Sequence, residues 1–260
     1  LASNLISPAF YEISATDTAL ENGEDVTAAT RSHAFVNPEL IGDDGSPLSL
    51  IWLDVPFHAL TLQGAVDLAA QRNARTFFDN TAEARAISEF LRSLRLADSA
   101  PAITYDLFLM SPYKVQGRVI RRALGDAYFA DANKAARWIH NRDASSPSQE
   151  KIVRTVTSAM GDECDVAILS LVRTMDMALY DEDKARQMCL FLAEPGNLNV
   201  SLSRAKRLQV ICGDWDFYAK SVQHVSDTQS DPLFNLARVI RQVGVMTSSG
   251  AARRITGLAS

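Results

Sequence analysis

Only three cysteines occur in this chain of 260 residues, Cys164, Cys189 and Cys212. They form no Cys-x-x-Cys pair and have no histidine beside them, which speaks against a disulfide framework and a zinc site. Long apolar runs are missing too. Stretches such as 166–169 are far too short to span a bilayer, and no charged-then-apolar leader opens the chain. No membrane association is expected, and a reducing, cytoplasmic compartment fits. Positive charge is in deficit, 26 Lys and Arg against 31 Asp and Glu, a net charge of −5. That balance excludes a globally basic nucleic-acid coat but leaves room for a local basic groove. Catalytic signatures are sparse. There is no Gly-x-Ser-x-Gly elbow, and His33, His58, His140 and His224 are scattered without ligand spacing, so no metal site is assigned. No Gly-x-x-x-x-Gly-Lys-[Ser/Thr] phosphate loop is present, and no acidic Mg²⁺-binding pair follows a suitable strand.

What is present is an ordinary globular composition, 47% hydrophobic and 22% charged. The length suits one large α/β domain, or one with an inserted subdomain. Of the 26 basic residues 20 are arginine, which favours forked contacts to phosphate over point charges. The chain starts at Leu1 rather than Met, so it is expected to be an excised piece. Residues 1–48 read as linker and irregular lead-in, 49–247 as the domain proper with a possible helical insert at 57–79, and 248–260 as a C-terminal tail. Strands are expected at 49–55, 105–110, 152–156, 166–172 and 208–212. Helices are expected at 81–96, opened by the capping pair Asn80 and Glu83, and at 113–124, 130–141 and 197–206. A last helix starts at Asp231-Pro232 and stops at Gly244. Strands alternating with helices imply a mostly parallel sheet covered on both faces, with its chemistry at the carboxyl ends of the strands.

Three segments carry chemistry. In residues 155–165 (TVTSAMGDECD), Gly161 lets backbone N–H groups approach a phosphate. Glu163 can accept from a ribose, and Thr155 and Thr157 can donate to a nucleic-acid phosphate. The alternative is an acidic surface turn. In residues 199–206 (NVSLSRAK), Arg204 stands on a short helix of small residues before an apolar strand. It is either in a structural salt bridge with Asp214 or Asp216, or a rigid cation poised for a transferring phosphoryl group. In residues 111–116 (SPYKVQ), Tyr113 can stack on a base, and Gln116 can bond a phosphate or couple to the neighbouring loop. The alternative there is a proline-started helix with a half-buried tyrosine. Arg118, Arg121 and Arg122 form a basic helix face, either solvated or tracking a backbone. Trp52, Trp138 and Trp215 are expected in the core.

In order and spacing, residues 5–12 (LISPAFYE), 80–84 (NTAEA), 111–116, 155–173 (TVTSAMGDECDVAILSLVR) and 199–206 resemble the second, C-terminal RecA-like domain of superfamily-1 helicases. The similarity is to the branch containing the nonsense-mediated-decay RNA helicase and its bacterial and DNA-acting relatives, and it spans about residues 5–243. It implies an α/β, RecA-like P-loop NTPase fold, and a helicase or translocase that uses ATP and Mg²⁺. It also implies a partner strand of single-stranded DNA or RNA, and an N-terminal RecA-like domain of the same polypeptide that carries the phosphate loop and holds the metal. By the resemblance Arg204 is the arginine finger, and Gly161, Glu163 and Arg173 contact ATP. Ser111, Pro112, Tyr113, Gln116, Thr155 and Thr157 contact nucleic acid. The chain departs from the family's Asp-x-x-Gln-Gly at 157–161, where Met160 replaces a glutamine. Gly196 and Asn197 stand where many relatives have arginine. This piece alone is expected to be inactive. A competing reading is a degenerate RecA-like module that binds nucleic acid or scaffolds without catalysis. A third, a stand-alone α/β enzyme, has no nucleophile, metal set or cofactor fingerprint to support it.

Overall fold

The computed structural model describes residues 5, 32–57, 78–98, 103–125, 128, 138–140 and 152–256. Expectations at 6–12, 58–77 and 130–137 lie outside the described residues.

Six parallel strands form one sheet: β1 (Leu50–Asp54), β2 (Leu107–Ser111), β3 (Val153–Thr155), β4 (Cys164–Ser170), β5 (Ala205–Gly213) and β6 (Arg253–Thr256). They lie in the order β3-β2-β4-β5-β1-β6, and every pairing is parallel. With helices on both faces this is the α/β RecA-like P-loop fold. The alternation of side chains explains the unbroken apolar strands. Leu50, Trp52, Met110, Leu169 and Ile211 enter one core, while Ile51, Leu53, Leu109, Ile168 and Val210 enter the other. A strand buried on both faces has no polar side to show.

α1 (Thr81–Ser93) and α2 (Lys114–Leu124) cover one face. The other is covered by α3 (Glu182–Ala193), α4 (Pro195–Leu202), α5 (Trp215–Ser221) and α6 (Phe234–Ser248). Of these, α3, α5 and β6 have no counterpart in the sequence reading. Residues 253–256, expected in a tail, pair with β1 as an edge strand. Phe35, Leu40 and Leu48, from the stretch expected as lead-in, are buried against the same core as α1. Trp138 and Ile139 belong to a bridge rather than a helix, with Tyr105 bonded on both sides to Trp138 and His140.

Two helix ends differ from expectation for clear reasons. α6 runs through Gly244, where an added Cβ would be in contact range of the Trp215 ring. The chain turns instead at Gly250, whose φ of 78° is the left-handed exit that a side chain resists. α4 begins earlier, at Pro195, and ends at Leu202. Arg204 and Lys206 leave the helix because the sheet claims them: the Cys164 N–H donates to the Arg204 carbonyl at 2.9 Å, and Ala205 opens β5 beside Cys164.

Candidate nucleotide and nucleic-acid surfaces

Parallel strands give the sheet two chemically distinct ends, and the singled-out residues divide between them. Thr155 ends β3 opposite Ser111, the last residue of β2, at the carboxyl end. Residues 156–163 then return the chain to the amino end, where Cys164 starts β4 beside Ala205. Gly161, Glu163 and Arg204 therefore meet at the amino end, not at the carboxyl end where the chemistry was expected.

At the amino end, Gly161 turns the chain with φ 87°, and an added Cβ there would meet nothing within 4 Å. The Arg204 guanidinium reaches this turn. Its Nη1 donates to the Asp162 carbonyl (3.0 Å), Nε to the Val200 carbonyl (3.1 Å) and Nη2 to Ser203 Oγ (2.7 Å). All three acceptors are neutral, and among the described residues no carboxylate lies within ion-pair distance of it. The alternative partner, Asp214, follows the opposite end of β5, roughly 30 Å of strand away. There it caps α5 by accepting from the Phe217 N–H (3.1 Å). Glu163 pairs with Lys206 at 3.2 Å, both exposed.

At the carboxyl end a cavity of about 320 Å³ opens between α2 and β3. Lys114, Arg118, Arg121 and Arg154 line it with Tyr113, Thr155 and Ser158, and among the described residues no acidic one does. Arg154 leans over the Phe108 ring and pairs with Asp162 outside the lining. Thr155 and Ser158 lock the turn: Thr155 N–H donates to Ser158 Oγ (3.0 Å), and Ser158 N–H to Thr155 Oγ1 (3.2 Å). Thr157 is exposed on the turn that follows. Tyr113 holds the N-cap position of α2 without a side-chain capping bond, and its N–H donates to Ser111 Oγ (3.2 Å).

Arg173, expected with the nucleotide group, lies at this carboxyl end instead. Its Nε donates to Tyr113 Oη at 2.9 Å, and the guanidinium lies 4.7 Å from the Tyr113 ring and 4.8 Å from Phe78. Gln116 faces inward rather than toward a strand. Its Oε1 accepts from the Asn80 N–H (2.7 Å), and its Nε2 donates to the Asn80 carbonyl (3.0 Å) and Ser170 Oγ (2.9 Å). Coupling to a neighbouring element is the half of that expectation the geometry carries.

The centre of this network is Glu83, legible in the sequence only as a capping residue. It is fully buried. Ser170 Oγ donates to its Oε2 at 2.6 Å, the Val172 N–H reaches both its oxygens at 3.0 Å, and Asn80 Nδ2 reaches Oε1 at 3.1 Å. Burial pushes its pKa up to about 8 against these donors, which favour the carboxylate. Val172 has φ 76°. The Arg173 N–H closes onto the Leu171 carbonyl at 2.9 Å, the hydrogen bond of a γ-turn in its rare positive-φ form. No sequence signal marks a β-branched residue held this way.

Among the described residues no group of three or more His, Cys, Asp or Glu side chains could hold a metal ion, and no helix is long and apolar enough to cross a membrane. Cys164, Cys189 and Cys212 are buried free thiols whose pKa values burial raises. A family model described as an AAA domain matches residues 3–216. No curated protein matches the chain.

Proposed function

The chain belongs to this AAA domain family, a helicase-associated family of the superfamily-1 type, and on that premise we propose that it is the C-terminal motor domain of an ATP-dependent DNA or RNA helicase or translocase. Within the family we place it with the nonsense-mediated-decay RNA helicase branch, on the segments 155–173 and 199–206. We further propose that an N-terminal RecA-like domain of the same polypeptide carries the phosphate loop and holds Mg²⁺, in a cytoplasmic protein.

The observation that carries this reading is Arg204: a guanidinium tied to a glycine turn by neutral oxygens, with no described carboxylate in ion-pair distance. Such a group is ordered before an anion arrives, so little reorganisation is needed when one does. A triphosphate fits these residues: Arg204 would face the γ-phosphate, Gly161 would admit a phosphate oxygen close to the backbone, and Glu163 would accept from the ribose. ATP with Mg²⁺, when bound, supplies the phosphoryl group whose transfer to water drives the motor. The chain's own part is to orient Arg204 through Val200, Asp162 and Ser203. At the carboxyl end its part is to hold a strand by the cations of α2 and β3, with Thr155 and Thr157 beside them, while Ser111 and Pro112, expected in that contact, are buried.

In the intact polypeptide, Arg204→Ala should lower nucleic-acid-stimulated ATP turnover by about 10³–10⁵ with modest loss of ATP binding. Unchanged turnover would remove the finger assignment. A second reading, a non-catalytic nucleic-acid-binding or scaffolding module, is favoured by Met160, which is 62% exposed where the family's glutamine would couple nucleotide and strand. A broken phosphate loop in the sequence upstream of Leu1 would decide for it.

A further inference from the structure

The carboxyl end carries an aromatic cluster that the strand-binding reading leaves unassigned. Phe78, 38% exposed, stands just before Asn80 and the start of α1; Phe191, 45% exposed, lies in the last turn of α3. Their rings flank Tyr113, with centroids 5.0 Å and 5.6 Å from it. The Arg173 guanidinium lies over both the Phe78 and Tyr113 rings. Three aromatic rings and a planar cation thus come together from four separate stretches of chain. Two of the rings keep an open surface.

We propose that Phe78 and Phe191, braced by Tyr113 and Arg173, are a platform on which bases of a single-stranded nucleic acid stack; the proposal rests on the reading of this end as the strand-binding surface. Two independent observations support it. First, Tyr113 belongs both to this cluster and to the cavity of Lys114, Arg118, Arg121 and Arg154, which no described acidic residue lines. Cations for phosphates therefore adjoin rings for bases, the pairing that binds single strands without sequence readout. Second, the cluster sits on a rigid frame. Asn80, Gln116, Ser170 and Glu83 are tied together, and that frame holds Val172 at positive φ so that Arg173 emerges under Tyr113. Strained backbone kept in place by buried polar groups recurs where a side chain must be aimed. An exposed pair of phenylalanines alone would need no such frame.

The test compares a short oligodeoxyadenylate with an abasic strand of equal length, binding the 260-residue chain at fixed salt. The wild type should hold the base-bearing strand about tenfold tighter, and 2-aminopurine placed in that strand should be quenched on binding. Phe78→Ala with Phe191→Ala should bring the two affinities together and abolish the quench, while Phe191→Trp should preserve both. Both phenylalanines are partly exposed, so an unchanged thermal unfolding curve is expected to accompany the loss. If the double variant keeps the preference for bases, or the wild type shows none while still binding strands, the platform is overturned and strand binding stands. Should the wild type bind neither strand, the strand-binding reading falls together with the platform.

Discussion

At the amino end of the sheet Arg204 rests on carbonyl and hydroxyl oxygens with its charge open, while at the carboxyl end the carboxylate of Glu83 is sealed from water and surrounded by donors. The first arrangement leaves an electrostatic need that an incoming anion meets. The second uses its polar groups up internally, and what it offers outward is shape: a fixed tyrosine, an aimed arginine and two open phenylalanines. One end aims a single guanidinium at an incoming charge, and the other sets its cavity cations beside a surface held still. Substitutions at the two ends should therefore fail in different assays.

The largest separation is expected from Arg204→Ala set beside the pair Lys114→Ala with Arg118→Ala. The first should abolish turnover in the intact polypeptide and leave single-strand affinity unchanged. The pair should weaken strand binding and reduce the slope of log K against log salt by about 0.7 for each phosphate no longer neutralised. A fall in strand affinity with Arg204→Ala would erase the distinction between the ends.

Glu83 gives the next effect. Its folded pKa of about 8 lies above the ordinary 4.5. The folded state therefore binds the extra proton between those values, and the stability this lends, full below about 4.5, is lost as pH rises through 8. Urea unfolding of the wild type should show that decline, and Glu83→Gln should remove it, because an amide does not titrate. Asp214 and Asp54, whose pKa values burial also raises, remain in both proteins, so the difference between the two isolates Glu83. At acid pH the same variant should keep most of the wild-type stability, since its amide N–H₂ then stands where the protonated carboxyl's O–H stood, against Ser170 Oγ, which can accept as well as donate. A pH profile unchanged by the substitution would show that Glu83 is not the titrating group.

The smallest effect is expected at Gly250, on the turn between α6 and β6. Gly250→Ala should cost about 1 kcal/mol through its positive φ alone, because the nearest atom to an added Cβ is Asp43 Oδ2 at 3.8 Å. Gly161→Ala, with φ 87° and an open surrounding, should cost a similar amount of stability. If it reduces turnover far more than Gly250→Ala reduces anything, the amino end is using that glycine for more than a turn.

Much of the fold is legible in local pattern. The strands β1, β2, β4 and β5 are readable as apolar runs, and α1 from Asn80 and its stripe. What escapes is set by partners distant in sequence. β6, Arg-Arg-Ile-Thr, has no strong pattern, and its existence depends on β1 offering a free edge. The end of α4 is misplaced in the sequence reading because helix propensity continues past Leu202, while the pairing of Cys164 with Ala205 does not allow the helix to. Arg173 reads with the nucleotide group from its place in a motif, but β4 carries the chain to the other end of the sheet first, and the γ-turn at Val172 then aims Arg173 at Tyr113.

Residue order alone determined that the chain makes a parallel α/β sheet and which short segments hold its arginines, glycines and aromatics, because periodicity and motif spacing are properties of neighbours along the chain. Only the tertiary structure decided which end of the sheet each segment serves. It decided as well that Glu83 is an interior anchor and that Phe78, Tyr113 and Phe191 form one surface. Burial, register and ring contact are relations between residues far apart in sequence, and they exist only once the sheet has closed.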